Sequence, residues 1–249
     1  MFRKPLIAFL ILGTLSFKFG CSKSEDNQIC DSLSMLLSAN NICLTFEHNG
    51  LTNKQKNKIE AKISTGITNI DNLMSIDNLS IRIVDNPQLV ISEIGIGGYN
   101  PNTQEVILAI DANFNDLDRT LEENLIPQLA HEVHHAKRRR SVGYGNTLLQ
   151  AAVSEGLADH FSIEVTGINP PPWAVALTGT ELQSWVDTAS NTWNESSYDH
   201  NAWFLGTDQN IPKWAGYSIG FELVKNYLTD NPDKTPSNLH NEPANSFLP

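Results

Sequence analysis

His131-Glu132-Val133-His134-His135, followed twenty residues on by Glu155-Gly156-Leu157-Ala158-Asp159, decides how this chain is read. On a helix, positions i and i+4 lie about 40° apart and one turn along the axis. His131 and His135 can therefore aim two imidazole nitrogens at one point. Glu155 and Asp159 repeat that spacing on a second helix. Two imidazoles and a carboxylate, with a fourth position left for water, are the donor set of a catalytic zinc site. The expected ligands of one Zn²⁺ are thus His131, His135 and Glu155. Glu132 lies between the histidines and can hold the water as general base. Asp159 is expected to accept the second ring N–H of a ligating imidazole, His131, and so fix its tautomer. The bare H-E-x-x-H motif is suggestive only; the downstream carboxylate sharpens it against the alternative of a polar helix with incidental histidines.

The other histidines do not join this pattern. His134 is displaced around the helix from His135 and is expected off the metal. His160 points about 100° away from Asp159 and reads as structural. His48 and His240 have no partner pattern.

With 249 residues, 40% of them hydrophobic, the chain is long enough for one domain with a sizeable core. Acidic residues outnumber basic ones 28 to 17, for a formal net charge of −11, which argues against a nucleic-acid partner. The basic run Lys137-Arg138-Arg139-Arg140 suits the C-terminal end of the motif helix, where cations meet the negative end of the dipole.

The first twenty residues read as a targeting segment. Met1-Phe2-Arg3-Lys4 is positive, Leu6 to Leu15 is apolar but short for a membrane span, and Gly20-Cys21 precedes a polar run. This looks like a bacterial lipoprotein signal over residues 1–20, with Cys21 as the lipidated first residue. Lys18 and Phe19 depart from the small or aliphatic residues usual before that cysteine. The expected location is the bacterial cell envelope, with the chain lipid-anchored to a membrane and facing outside the cytoplasm; a secreted protein is the alternative. If Cys21 carries lipid, Cys30 and Cys43 remain as an even pair, either a disulfide or two free thiols.

Residues 21–50 read as a tether and an irregular or weakly helical segment, and 51–249 as the domain. Ile59, Ile63, Ile67 and Ile70 mark a helix from Thr52 to about Met74, capped by Thr52 or Asn53. Leu79 to Val84 alternates as a strand, Val90 to Ile96 suggests another, and Val106 to Ile110 is the clearest. Gly95, Gly97, Gly98 and Tyr99-Asn100-Pro101-Asn102 read as a turn-rich break. The strand at Val106–Ile110 is a candidate for pairing with an extended substrate backbone, or an ordinary sheet strand. Asn115 or Asp116 caps the next helix; Pro127 either kinks it or starts a new one. The motif helix buries Leu129, Ala130, Val133 and Ala136. Asn146 or Thr147 caps a helix to about Val165 that Gly167 ends, with Gly156 leaving room for close helix approach. Helices over Thr180–Thr192 and Ala215–Leu228 follow, then an irregular tail.

The segments Leu129–His135 and Ser154–Phe161, with Trp214–Gly220, resemble a bacterial family of zinc-dependent proteases proposed from sequence. The similarity runs from about Leu79 to the C-terminus. Ligand order and spacing are also similar to those of the thermolysin-like gluzincins. These resemblances imply an α+β, zincin-like fold: a small mixed sheet packed on the motif helix, with a mainly helical C-terminal half. They imply a zinc peptidase acting on peptide or protein substrates. Tyr217 is the first candidate to stabilise the developing oxyanion, or else a core aromatic with a satisfied hydroxyl; Tyr198 and His200 are weaker choices. Two other functions stay open: an inactive zincin scaffold that binds a partner, and a zinc hydrolase of non-peptide amides. Glu132 favours an enzyme, since metal binding alone does not need it.

Overall fold

Residues 30, 34–38, 40–47 and 50–249 are described by a computed structural model. Strands β1 (Met35–Ser38), β2 (Ile42–Glu47), β3 (Leu79–Asp85), β4 (Ile96–Asn102) and β5 (Glu105–Ile110) form one sheet, ordered β1-β2-β3-β5-β4. The pairs β2–β3 and β3–β5 are parallel, while β1–β2 and β4–β5 are antiparallel. The fold class is therefore α+β with a small mixed sheet.

The first helix, α1 (Asn53–Leu73), starts on a capping box in which Thr52 accepts from the Gln55 N–H. It crosses between β2 and β3, which parallel pairing requires. Ile59, Ile63, Ile67 and Ile70 are its buried stripe. Helix α2 (Leu117–Glu123) follows β5, and α3 (Leu125–Arg139) is the motif helix. Pro127 sits in the first turn of α3, where its missing N–H costs nothing, so a new helix begins there instead of a kink. Helix α4 (Leu148–Thr166) opens on a second capping box, Thr147 with Gln150, and ends at Gly167 in the left-handed region (φ 68°). Helices α5 (Gly179–Ser190) and α6 (Ala215–Asp230) complete the C-terminal half with two 3₁₀ turns in the tail.

Two apolar clusters flank the motif. One lies between the sheet and helices α1, α2 and α3; the other joins α4, α5, α6 and the tail. Helices α3 and α4 pack together along the seam, and α3 also lies on β4 and β5.

Three expectations are corrected. Residues 35–47 are not irregular: β1 and β2 flank a turn in which Asn41 takes φ 59°, and Ile42, Cys43 and Leu44 are core. The sheet therefore begins before residue 51. The Asn40-Asn41 dipeptide carried that signal, since asparagine tolerates a left-handed turn. The supposed strand Val90–Ile96 is mostly turn, and the supposed break at Gly97–Asn102 is β4. Its Gly and Pro content belongs to an edge strand with a bulge between Tyr99 and Asn102. Finally, β5 is paired on both sides, so β4 and not β5 offers an open edge.

The cysteines Cys30 and Cys43 form a disulfide, with Cα atoms 5.5 Å apart, tying residue 30 to β2. The expected signal segment 1–20 and Cys21 lie outside the described residues.

Candidate metal centre

His131 and His135 rise from consecutive turns of α3, and Glu155 faces them from α4. The Nε2 atoms of the two imidazoles are 3.0 Å apart. Glu155 Oε2 lies 3.0 Å from His131 Nε2 and 3.4 Å from His135 Nε2. A tetrahedral ion bound at about 2.0–2.1 Å sets its ligand atoms about 3.3 Å apart, so this triangle matches that size. All three side chains are buried.

The protonation pattern shows why a cation fits. His131 Nδ1 donates to Asp159 Oδ1 at 2.9 Å, and that oxygen also accepts from Trp173 Nε1–H at 3.1 Å. With Nδ1 carrying the proton, neutral His131 turns its Nε2 lone pair toward a carboxylate oxygen and another ring nitrogen. Three electron-rich atoms then converge at a buried site, which a proton or a metal ion can relieve. Burial alone would lower the His131 pKa, but Asp159 and Glu155 reverse this and hold it well above the usual imidazole range. Burial would likewise raise Glu155, yet His135 and His131 hold it well below the usual carboxylate range.

Glu132 is also buried; Gln128 Nε2 donates to its Oε1 at 3.0 Å. Burial, the largest influence, raises its pKa. Behind it runs β4, where a Cβ on Gly98 would lie 2.7 Å from Glu132 Cγ. Glycine at 98 is thus what lets the strand pass so close.

Four contributors escaped the sequence reading. Tyr144 donates its hydroxyl to Glu155 Oε1 at 2.6 Å, leaving Oε2 to face the histidines. The turn that carries it, Gly143-Tyr144-Gly145, has φ 80° and 109° at the two glycines. Trp173 follows three prolines and reaches Asp159, as described. Arg138 is not at a solvated helix end but buried, with Nε donating to Ser154 Oγ (3.0 Å) and Nη1 to the Glu242 carbonyl (2.8 Å). Burial lowers its pKa to about 10. Ser154 in turn donates to the Tyr144 carbonyl at 2.8 Å, so Arg138 steadies the loop that holds Tyr144. Gln128, one turn before Glu132, is the fourth.

The remaining candidates are placed as follows. Tyr217 and His200 line the same cleft as His131, Glu132, His135 and Glu155, a space of about 650 Å³. The Tyr217 ring packs edge-on against Phe204, at 5.1 Å between centroids. No described residue hydrogen-bonds its hydroxyl, while its ring packs against the second apolar cluster. Burial first, then Glu155, raises its pKa well above normal and keeps the proton on. Tyr198 pairs with His200 Nδ1 at 3.1 Å. His134 is buried beside Phe161 with both ring nitrogens lacking a side-chain partner, away from the ligand triangle. His160 Nε2 meets the Phe221 carbonyl at 3.0 Å, a structural role. A larger cavity of about 980 Å³ lies between α5 and α6, lined in part by His160 but by none of His131, Glu132, His135 and Glu155. Chemistry, and not size, singles out the cleft at the seam.

Over 130 residues the chain is 29% identical to the "Uncharacterized protein YjaZ" of Bacillus subtilis (strain 168), an overlap of 48% of each chain. It thus spans about half the length of that curated relative. No solved structure matches it. Residues 54–249, which hold both motif helices and every donor in the triangle, match one family across their whole length, and the chain belongs to that family, described as Predicted Zn-dependent protease (DUF2268).

Proposed function

We propose that this chain is a zinc metallopeptidase of the gluzincin type, with His131, His135 and Glu155 holding the ion. The observation that carries this reading is the convergence of three lone-pair donors beside the buried carboxylate of Glu132. A bound Zn²⁺ would supply Lewis acidity, polarising a carbonyl and acidifying a water. Tyr144 keeps Glu155 turned so that Oε2 serves the ion. Asp159 holds the His131 tautomer. Glu132 takes the proton of the attacking water and returns it to the leaving amine; its raised pKa brings it closer to the neutral range such a base needs. An extended substrate backbone is read along the open edge of β4 at Gly98–Asn100, which lines the cleft. The sheet on α3, the ligand helix α4 and the helical second half support a zincin-like architecture. One zinc per chain together with cleavage of a peptide pool is the expected result; a chain that takes up no zinc overturns the reading.

Metal and proton compete for the His131–Glu155 pair. Zinc binding is expected to release about one proton, and affinity to weaken as pH falls, because below the raised pKa of His131 the proton holds the site. Calorimetry in buffers of different ionisation enthalpy reads this; proton-free binding would contradict it.

Tyr217 is read as the donor to the developing oxyanion, supported by its protonated, unpartnered hydroxyl in the cleft. Tyr217→Phe is expected to lower kcat by about 10²–10³ with little change in KM. An unchanged kcat would return it to a packing role.

We further propose an envelope location with a lipid on Cys21. The Cys30–Cys43 disulfide supports an oxidising compartment. Cys21→Ser is expected to move the protein from the membrane fraction to the soluble one; equal partition of parent and variant would contradict the anchor.

A further inference from the structure

The one cation lining the cleft lacks the partner its chemistry calls for. Of the four cations at residues 137–140, three are engaged. Lys137 donates to the Ser75 carbonyl, Arg138 to Ser154 and the tail, and Arg140 to Asp77 and nearby carbonyls. Arg139 is the exception. Among the described residues no carboxylate pairs with it, and its Nε is a buried donor with no hydrogen-bond partner. Its guanidinium lies over the Tyr144 ring, 5.3 Å from the centroid, which fixes the fork in place without using its donors.

Position makes this donor informative. Arg139 is four residues past His135, on the same face of α3 as both ligating histidines and about 6 Å farther along the axis. It lines the same cleft as His131, Glu132, His135 and Glu155, and is the one lysine or arginine among the residues that do so. A half-buried cation that shares a cleft with Glu132 and Glu155, in a chain of net charge −11, forms no ion pair among the described residues. A buried N–H without an acceptor costs free energy that an incoming acceptor would recover. Arginine's planar fork matches a carboxylate through paired hydrogen bonds.

Resting on the peptidase reading above, we infer that Arg139 is a specificity-determining residue that binds a substrate carboxylate within about two residues of the scissile bond, since an extended chain rises about 3.3 Å per residue. The carboxylate is that of an Asp or Glu side chain or that of the peptide's own C-terminus. The chemistry is the same in both cases. The first makes the enzyme an acid-preferring endopeptidase, the second a carboxypeptidase.

Three matched sets of quenched peptides decide it, using the zinc-loaded full chain. One set carries Asp or Glu with an amidated C-terminus, one carries neutral side chains with a free C-terminus, and one is neutral and amidated. The parent is expected to cut one of the first two sets about 10–100-fold better in kcat/KM than the third. Arg139→Gln is expected to reduce that ratio to near unity, and Arg139→Glu to turn preference toward Lys-containing peptides. Preference for the first set identifies a side-chain carboxylate; preference for the second, a terminal one. A parent that cuts the neutral amidated set as well as the others, or a ratio unchanged in Arg139→Gln, overturns the inference. The same peptides titrated calorimetrically into zinc-loaded parent and Arg139→Gln keep the question separate from catalysis. If nothing is cleaved, the peptidase reading fails; carboxylate-dependent binding lost in the variant then still supports Arg139, and equal affinities overturn it. Zinc stoichiometry and circular dichroism of each variant verify folding, and should Arg139→Gln misfold, Arg139→Lys, expected to keep the charge but weaken the preference, takes its place.

Discussion

Glu132→Gln is expected to retain zinc at the parent level while lowering peptide cleavage by about 10²–10⁴-fold. The substitution is nearly isosteric, and an amide oxygen can still accept from Gln128 Nε2, which lies 3.0 Å from Oε1. What is lost is the capacity to take a proton. Stability should not fall with activity. Glu132 is 3% exposed, and burial raises its pKa because the charged form is poorly solvated there. A neutral amide removes that penalty, so the variant should melt at the parent temperature or above it. An inactive protein that is zinc-replete and no less stable separates chemistry from folding. The parent's pH profile carries the same signature. As pH falls through the raised pKa of Glu132, the base becomes protonated and kcat/KM drops, so the acid limb should lie above the ordinary glutamate range. Turnover by Glu132→Gln at the parent rate would remove Glu132 from the mechanism. Loss of zinc with activity would make it a residue of the site's architecture.

What the sequence disclosed and what it hid follow from the range of the interactions concerned. The convergence of His131, His135 and Glu155 was legible because it depends on helical spacing within two short segments, and spacing is local. Asp159 was legible for the same reason. Helix α1 was written in its apolar period, while its cap was left between Thr52 and Asn53 and that of α4 between Asn146 and Thr147; the threonines take both roles. Tyr144, Trp173 and Arg138 were hidden because their partners lie on other elements. No period links Trp173 to Asp159 or Arg138 to the Glu242 carbonyl. Strand β4 was misread for a related reason. Gly97 and Gly98 are glycines because Leu89 and Glu132 press on them, and from sequence alone that pressure looks like a turn. Arg139 was seen as one of four like charges. Only the surroundings of each show that three are engaged and one is not.

Gly220→Ala is expected to cost about 3 kcal/mol of stability or more, at the upper end of overpacking and beyond, because the collision is with backbone. A Cβ on Gly220 would lie 1.8 Å from the Ala152 carbonyl oxygen and 2.5 Å from its carbon. The reciprocal contact is as tight: a Cβ on Gly156 would lie 2.2 Å from the Gly220 oxygen. No rotamer can relieve either clash, so α4 and α6 must separate. Helix α4 carries Glu155 and Asp159, so its displacement pulls one proposed ligand and the His131 partner away from α3. The melting temperature should therefore drop by about 6–12 °C, taking about 2–4 °C per kcal/mol for a chain of this size, and zinc affinity should fall with it. Gly167→Ala is the control. Gly167 has φ 68° but open space around its Cβ position, so the substitution meets backbone strain alone, about 1–2 kcal/mol, with the metal site left in register. A Gly220→Ala protein that melts with the parent and binds zinc equally would show that the α4–α6 crossing is looser than these distances. A variant that melts early yet keeps full zinc affinity would show that the seam between the two cores holds the ligands independently of the helices behind it.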